Sequence, residues 1–160
     1  MGDLTLTFHE NYLRKLKNLD FKNKKKIVVG FFGIPGSGKT TLAKEIEKRY
    51  NAVRINSDDI RTELRKLNFD EKHMEIFLRD YLIYFFKNYS FKNKFIILDK
   101  GLDRTFFDVK RILRNEGFVL FLINLEISGK VARERAFARA KGVDEWFVEN
   151  IDRWEREHKE

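Results

Sequence analysis

Residues 27–41 read Ile27-Val28-Val29-Gly30-Phe31-Phe32-Gly33-Ile34-Pro35-Gly36-Ser37-Gly38-Lys39-Thr40-Thr41, and this stretch decides the fold. The run from Ile27 to Phe32 has the character of a buried strand. It leads into Gly33-x-x-x-x-Gly38-Lys39-Thr40, the Walker A pattern. An amphipathic segment follows, with Leu42, Ala43, Ile46 and Tyr50 on one stripe. Strand, glycine loop and helix are the context in which this motif cradles phosphate. Glycines let the backbone wrap closely and aim successive N–H groups at phosphate oxygens, beside the positive end of the new helix. Gly33, Pro35, Gly36, Ser37, Gly38, Lys39, Thr40 and Thr41 are therefore the candidate nucleotide-binding residues. Lys39 is expected to reach the β- and γ-phosphates of a nucleoside triphosphate, and the Thr40 hydroxyl to ligate Mg²⁺.

Working outward, the remaining sequence repeats the same rhythm. Strands are expected at 27–32, 52–56, 95–98 and 118–125, and helices at 39–50, 58–67, 71–88, 103–116, 128–141 and 143–157. Asn56 or Ser57 supplies a cap for the helix from Asp58, and Gly117 ends the helix before the last strand. Met74, Phe77, Leu78, Tyr81, Leu82 and Phe85 recur at spacings of three and four, while Ile83, Tyr84 and Phe86 lie off that stripe, so this helix should be buried on much of its circumference. Apolar strands alternating with helices imply an α/β fold whose parallel sheet is covered on both faces. Ligands then bind at the carboxyl ends of the strands, where the glycine loop, Asp58 and Asp99 fall.

Composition is consistent with one domain. The 160 residues carry 33 basic and 25 acidic side chains, a net charge of +8 that favours anionic partners. There is no cysteine, hence no disulfide framework. No apolar stretch approaches bilayer length, and the opening Met1-Gly2-Asp3-Leu4-Thr5 lacks a signal-peptide layout. A cytoplasmic protein with no membrane association is expected. The chain divides into a basic N-terminal extension, 1–26, and a nucleotide-binding domain, 27–160; oligomeric state is left open.

Three further constellations suggest chemistry. Asn56-Ser57-Asp58-Asp59-Ile60-Arg61 follows the second strand. A kinase needs a base to orient its acceptor hydroxyl, and an arginine to hold an anionic neighbour. Asp58 and Arg61 share a helix face and suit those tasks; the same residues also suit a capped helix with acids at its positive end. Asp59 is read as capping alone. Phe95-Ile96-Ile97-Leu98-Asp99 closes an apolar strand with an acid, the Walker B arrangement that reaches Mg²⁺, although an aspartate opening a turn fits too. Lys100 stands where many ATP-hydrolysing motors place a glutamate, which disfavours a motor. Arg104 is either a substrate contact or a solvated turn residue. Finally, Lys130, Arg133, Arg135, Arg139 and Lys141 face one acid, Glu134. Arg135 and Arg139 share a face and are expected to close over the triphosphate and neutralise developing charge, the other reading being a solvated basic face.

Together these motifs resemble the P-loop kinases of the polynucleotide 5′-hydroxyl kinase and zeta-toxin type, over about residues 27–157. Gly33 to Thr41 is similar to the polynucleotide kinase loop. The resemblance implies a P-loop NTPase three-layer sandwich with a four-stranded parallel sheet ordered 2-3-1-4 and an arginine-rich helical lid. It gives Asp58 the part of general base, Arg61 that of substrate-phosphate ligand, and Arg135 and Arg139 that of lid arginines. Lys39, Asp58, Arg61, Arg135 and Arg139 are thus the candidate catalytic residues, with Thr40 and Asp99 as candidate metal ligands. ATP and Mg²⁺ are the implied cofactors, and a nucleic-acid 5′-hydroxyl the favoured acceptor over a small nucleotide, sugar, amino-sugar or antibiotic. Segment 68–93 is where such relatives diversify for substrate. A regulatory GTPase is disfavoured, because Asn124-Leu125-Glu126 stands where a guanine-reading Asn/Thr-Lys-x-Asp element would be needed. A non-catalytic nucleotide- or nucleic-acid-binding module would leave Asp58 and the lid arginines without purpose.

Overall fold

The computed structural model describes residues 8, 12, 25–88, 95–139, 150, 151 and 153–156; for Ala136 and Arg139 it describes the backbone alone. The described elements run β1 (Lys26–Phe32), α1 (Lys39–Tyr50), β2 (Val53–Asn56), α2 (Ser57–Lys66), a 3₁₀ turn (Glu71–His73), α3 (Met74–Asn88), β3 (Phe95–Gly101), α4 (Phe106–Asn115), β4 (Phe118–Asn124) and α5 (Gly129–Arg139). Residues 150, 151 and 153–156 are helical as well, within the helix expected at 143–157.

The strands form one four-stranded sheet ordered β2-β3-β1-β4, all pairs parallel. That is the order the resemblance implies. Alternation along β1 and β3 feeds two cores. Val28, Ile96 and Leu98 pack with Ile60 and Leu64 of α2, Phe77 and Tyr81 of α3, and Val109 of α4. Val29, Phe31 and Ile97 pack on the other face with Ala43 of α1. The sheet is thereby sandwiched between helical layers.

Several boundaries differ from the sequence expectation. β3 continues through Asp99 to Gly101 because Asp99 pairs with Asn56 of β2 and Gly101 with Phe31 of β1, so the acid lies within the strand. Between Val29 and Phe31, two steps along β1 match four along β3, from Ile97 to Gly101. β3 therefore shifts register against β1 beside the glycine loop. The helix expected from 103 starts at Phe106, since residues 103–105 form a turn in which the Thr105 N–H bonds the Leu102 carbonyl at 2.9 Å. The helix expected from 71 begins with the 3₁₀ turn, whose Lys72 N–H is taken by the Asp70 side chain.

The segment read as a basic extension supplies two core residues. Phe8 and Tyr12 are both buried, and Phe8 meets Tyr81 edge-on at 4.8 Å between ring centres. Lys26 belongs to β1, bonds the Glu116 carbonyl at 3.0 Å and lies over the Phe118 ring. Residues 13–24 of that extension and residues 140–149 lie outside the described residues.

Candidate functional site

The loop between β1 and α1 holds its shape by close backbone approach. Gly33 has φ 134°, and a Cβ there would stand 2.6 Å from the Leu125 carbonyl oxygen and 2.8 Å from Ser37 Oγ. Gly36 has φ 87°, and a Cβ would come within 3.2 Å of the Ala132 carbonyl oxygen. Both positions combine left-handed backbone with a crowded neighbour, so only glycine fits without displacement. Lys39 folds back into this loop. Its Nζ donates to the carbonyls of Gly33 at 2.6 Å and Ile34 at 2.9 Å, and to Ser37 Oγ at 3.4 Å. Burial pushes the Lys39 ammonium below the ordinary lysine range, against the opposing charges of Asp103 and Asp99. Asp103 also accepts from the Gly33 N–H at 3.2 Å. Pro35 lies in the turn, and Thr40 and Thr41 open α1. All eight candidate nucleotide-binding residues thus occupy one continuous span.

Asp99 is the buried acid beside that loop, with only 3% of its surface exposed. Its Oδ1 accepts from Thr40 Oγ1 at 3.0 Å. Its Oδ2 accepts from Arg54 Nη1 and Asn56 Nδ2, each at 2.6 Å. The register explains why: Asn56 lies opposite Asp99, and Arg54 two residues earlier shares its face. Arg54 also bonds Glu47 of α1 at 3.0 Å and approaches Asp59 of α2 at 3.5 Å. Sequence reasoning missed Arg54 altogether and read Asn56 only as a cap. The available signal was a charged residue inside a short strand otherwise apolar at Val53 and Ile55. Asp59 likewise does more than cap, since its carboxylate faces Arg54.

The α2 constellation is assembled by its cap. Asn56 Oδ1 accepts from the N–H groups of Asp58 at 2.8 Å and Asp59 at 3.0 Å, which starts the helix at Ser57. One turn on, Arg61 Nη1 reaches Asp58 Oδ1 at 2.9 Å and Nη2 reaches Glu75 Oε1 at 2.6 Å. The Asp58 side chain is 83% exposed. Lys100, next to Asp99 in β3, is half-buried, and burial holds its ammonium below the ordinary lysine range. Glu75 and Arg61 are the charges acting on it, the first opposing that shift and the second adding to it.

Helix α5 is docked on the loop. Arg135 Nη1 donates to the carbonyls of Gly36 at 3.1 Å and Ser37 at 3.3 Å. A small apolar cluster of Ile34, Ala132 and Ile151, with Ile127 and Trp154 against it, fastens α5 and the helical residues after 150 to the loop. The backbone of Arg139 closes α5, and its side chain lies outside the described residues, as does Lys141.

Among the described residues no group of three His, Cys, Asp or Glu side chains is placed to hold a metal ion. The donors present instead suit a magnesium ion shared with phosphates. Thr40 offers a hydroxyl, and Asp99 keeps one oxygen clear of its Arg54 and Asn56 bonds. Among these residues no helix is long and apolar enough to cross a membrane.

Comparison with known proteins agrees with this geometry. A stretch of 73 residues, 41% of the chain, is 34% identical to adenylyl-sulfate kinase of Penicillium chrysogenum and covers 35% of that protein. Among solved structures, a protein of the PezAT chromosomal toxin–antitoxin system of Streptococcus pneumoniae superposes with a TM-score of 0.68 at 18% identity, over 87% of this chain and 62% of that one. A "putative kinase" from Chloroflexus aurantiacus superposes with a TM-score of 0.57 at 14% identity, over 80% and 78% of the two chains. The chain thus spans about a third of the curated relative and under two thirds of the first structural neighbour. A family model described as AAA domain matches residues 28–159, nearly the whole chain, and the chain belongs to that family.

Proposed function

We propose that this chain is an ATP-dependent phosphotransferase that moves the γ-phosphate to a hydroxyl acceptor. The observation that carries the reading is the Thr40–Asp99 pair, 3.0 Å apart, beside the Lys39 ammonium in the glycine loop. Thr40 and Asp99 would hold Mg²⁺, which when bound neutralises phosphate charge. Lys39 grips the β- and γ-phosphates when ATP displaces the Gly33 and Ile34 carbonyls from its ammonium. Asp58, oriented by Arg61, accepts the proton of the acceptor hydroxyl as the acceptor oxygen bonds the γ-phosphorus and the bond to the ADP oxygen breaks. Arg135 stands at the loop to neutralise charge spreading over the transferring group, with Arg139 one turn further along α5. A lysine at position 100, where a motor would need a water-activating glutamate, supports transfer over hydrolysis.

The resemblance of the glycine loop to that of polynucleotide 5′-hydroxyl kinases supports a nucleic-acid 5′-hydroxyl as the first reading of the acceptor. The stretch similar to adenylyl-sulfate kinase supports a small anionic nucleotide as the second reading. Salt dependence separates them. An oligonucleotide held through three backbone phosphates should bind with a log–log salt slope near about −2, at about −0.7 per contact on single strands. A flat response, with a mononucleotide bound as tightly as an oligonucleotide, selects the small acceptor.

A further inference from the structure

Tyr12, from the segment before β1, is buried with only 3% of its surface exposed. Phe8 stacks on its ring at 5.6 Å between centres, and Tyr81 of α3 meets it edge-on at 6.1 Å. Held on two sides, the ring carries its hydroxyl to the carboxyl end of β2. There the Asn56 backbone hydrogen-bonds that hydroxyl in the sense that favours an ionised oxygen, so the N–H donates and the phenol oxygen accepts. Burial outweighs this bond and pushes the Tyr12 hydroxyl above the ordinary tyrosine range, which keeps the group a neutral phenol. β2 stands at the edge of the sheet, with β3 on its one paired side. A buried N–H on an edge strand needs a partner, and Tyr12 supplies the acceptor that a further strand would have offered.

The residue so held is the junction of the site. Asn56 Oδ1 accepts from the N–H groups of Asp58 and Asp59, and Asn56 Nδ2 donates to Asp99 Oδ2 at 2.6 Å. A shift of the Asn56 backbone therefore disturbs three bonds together, two to the first turn of α2 and one to the buried acid. The family match begins at residue 28, so Tyr12 lies outside the stretch this chain shares with that family. We propose that Tyr12 is a positioning residue for phosphoryl transfer, its hydroxyl fixing the Asn56 backbone and, through the Asn56 side chain, the Asp58 turn and the Asp99 carboxylate. The inference rests on the phosphotransferase reading and deepens it by adding a residue too buried to touch either substrate.

The test compares full-length wild type, Tyr12→Phe and Phe85→Leu. Tyr12→Phe keeps the ring and deletes the acceptor, while Phe85→Leu weakens the same apolar cluster without removing a polar group. The first readout is amide hydrogen exchange at Asp58 and Asp59 in the free protein, followed by NMR. The second is the Mg²⁺ concentration needed for half-maximal binding of a non-hydrolysable ATP analogue, followed by calorimetry. Tyr12→Phe should speed exchange at both amides and raise the Mg²⁺ midpoint, each by about fivefold, the factor for one hydrogen bond. Phe85→Leu should lower the melting temperature and leave both readouts at the wild-type value. Tyr12→Phe leaving either readout unchanged overturns the proposal. So does Phe85→Leu reproducing both changes, because the effect would then be general loosening of the core. Failure of the ATP analogue to bind wild type at any Mg²⁺ concentration overturns the phosphotransferase reading, and the exchange rates then decide the part of Tyr12 by themselves.

Discussion

Arg54 Nη1 lies 2.6 Å from Asp99 Oδ2, an ion pair between neighbouring strands in which both side chains are largely withdrawn from water. The same guanidinium reaches Glu47 on α1 and Asp59 on α2. Three elements around the glycine loop are thereby tied to one side chain. Its bond to Oδ2 leaves Oδ1 of Asp99 facing Thr40.

Removing Arg54 leaves Asp99 buried beside Asn56 with its charge uncompensated. Breaking one side of a buried pair typically costs about 3 kcal/mol or more. Arg54→Met should lower the urea midpoint accordingly, with unchanged slope, and should raise the Mg²⁺ concentration needed for ATP binding. Arg54→Lys should recover only part of both losses, because one ammonium cannot reproduce the fork. A variant as stable as wild type would show that the pair is not a structural tie.

The carboxylates of Asp58 and Asp59 separate by partner. Asp58→Asn should preserve ATP affinity while lowering phosphoryl transfer by roughly 100-fold or more, since the hydroxyl loses its proton acceptor. Asp59→Asn should cost little transfer and a modest loss of stability through its contact with Arg54, about 1 kcal/mol or less for an exposed pair. Steady-state kinetics of both variants decide the matter, and a larger transfer defect at Asp59 would reverse the assignment.

The glycine loop was legible because Walker A is a local pattern: its residues are contiguous and their spacing sets the shape of the loop. The contact between Asp58 and Arg61 was legible for a similar reason, the two being one helical turn apart. Arg54 was not. Its importance depends on the register of β2 against β3, which sets Asn56 opposite Asp99 and no local pattern encodes. Phe8 and Tyr12 are the same case, since their burial arises from contacts with α3 some 70 residues away in sequence. Lys100 was read only for the glutamate it replaces, because the charges acting on it, those of Glu75 and Arg61, come from α3 and α2.

Arg135 reaches two loop carbonyls near the surface through Nη1 alone. Its removal should therefore affect the free protein slightly and the transition state strongly. Arg135→Ala is expected to lower kcat by about 100-fold, with a smaller rise in the KM for ATP, as for loss of a preorganised charge. A rise in KM alone would make Arg135 a binding residue of the ground state.

Transfer of the γ-phosphate to a hydroxyl is open to direct measurement with labelled ATP. Wild-type protein and Lys39→Ala are incubated with Mg²⁺ and γ-labelled ATP over 5′-hydroxyl DNA, 5′-hydroxyl RNA, nucleosides, 3′-phosphorylated nucleotides, adenylyl sulfate and amino-sugars. Wild type should place label on an acceptor hydroxyl, and Lys39→Ala should place none. Label found only as free phosphate, or equal transfer by wild type and Lys39→Ala, would contradict the phosphotransferase reading.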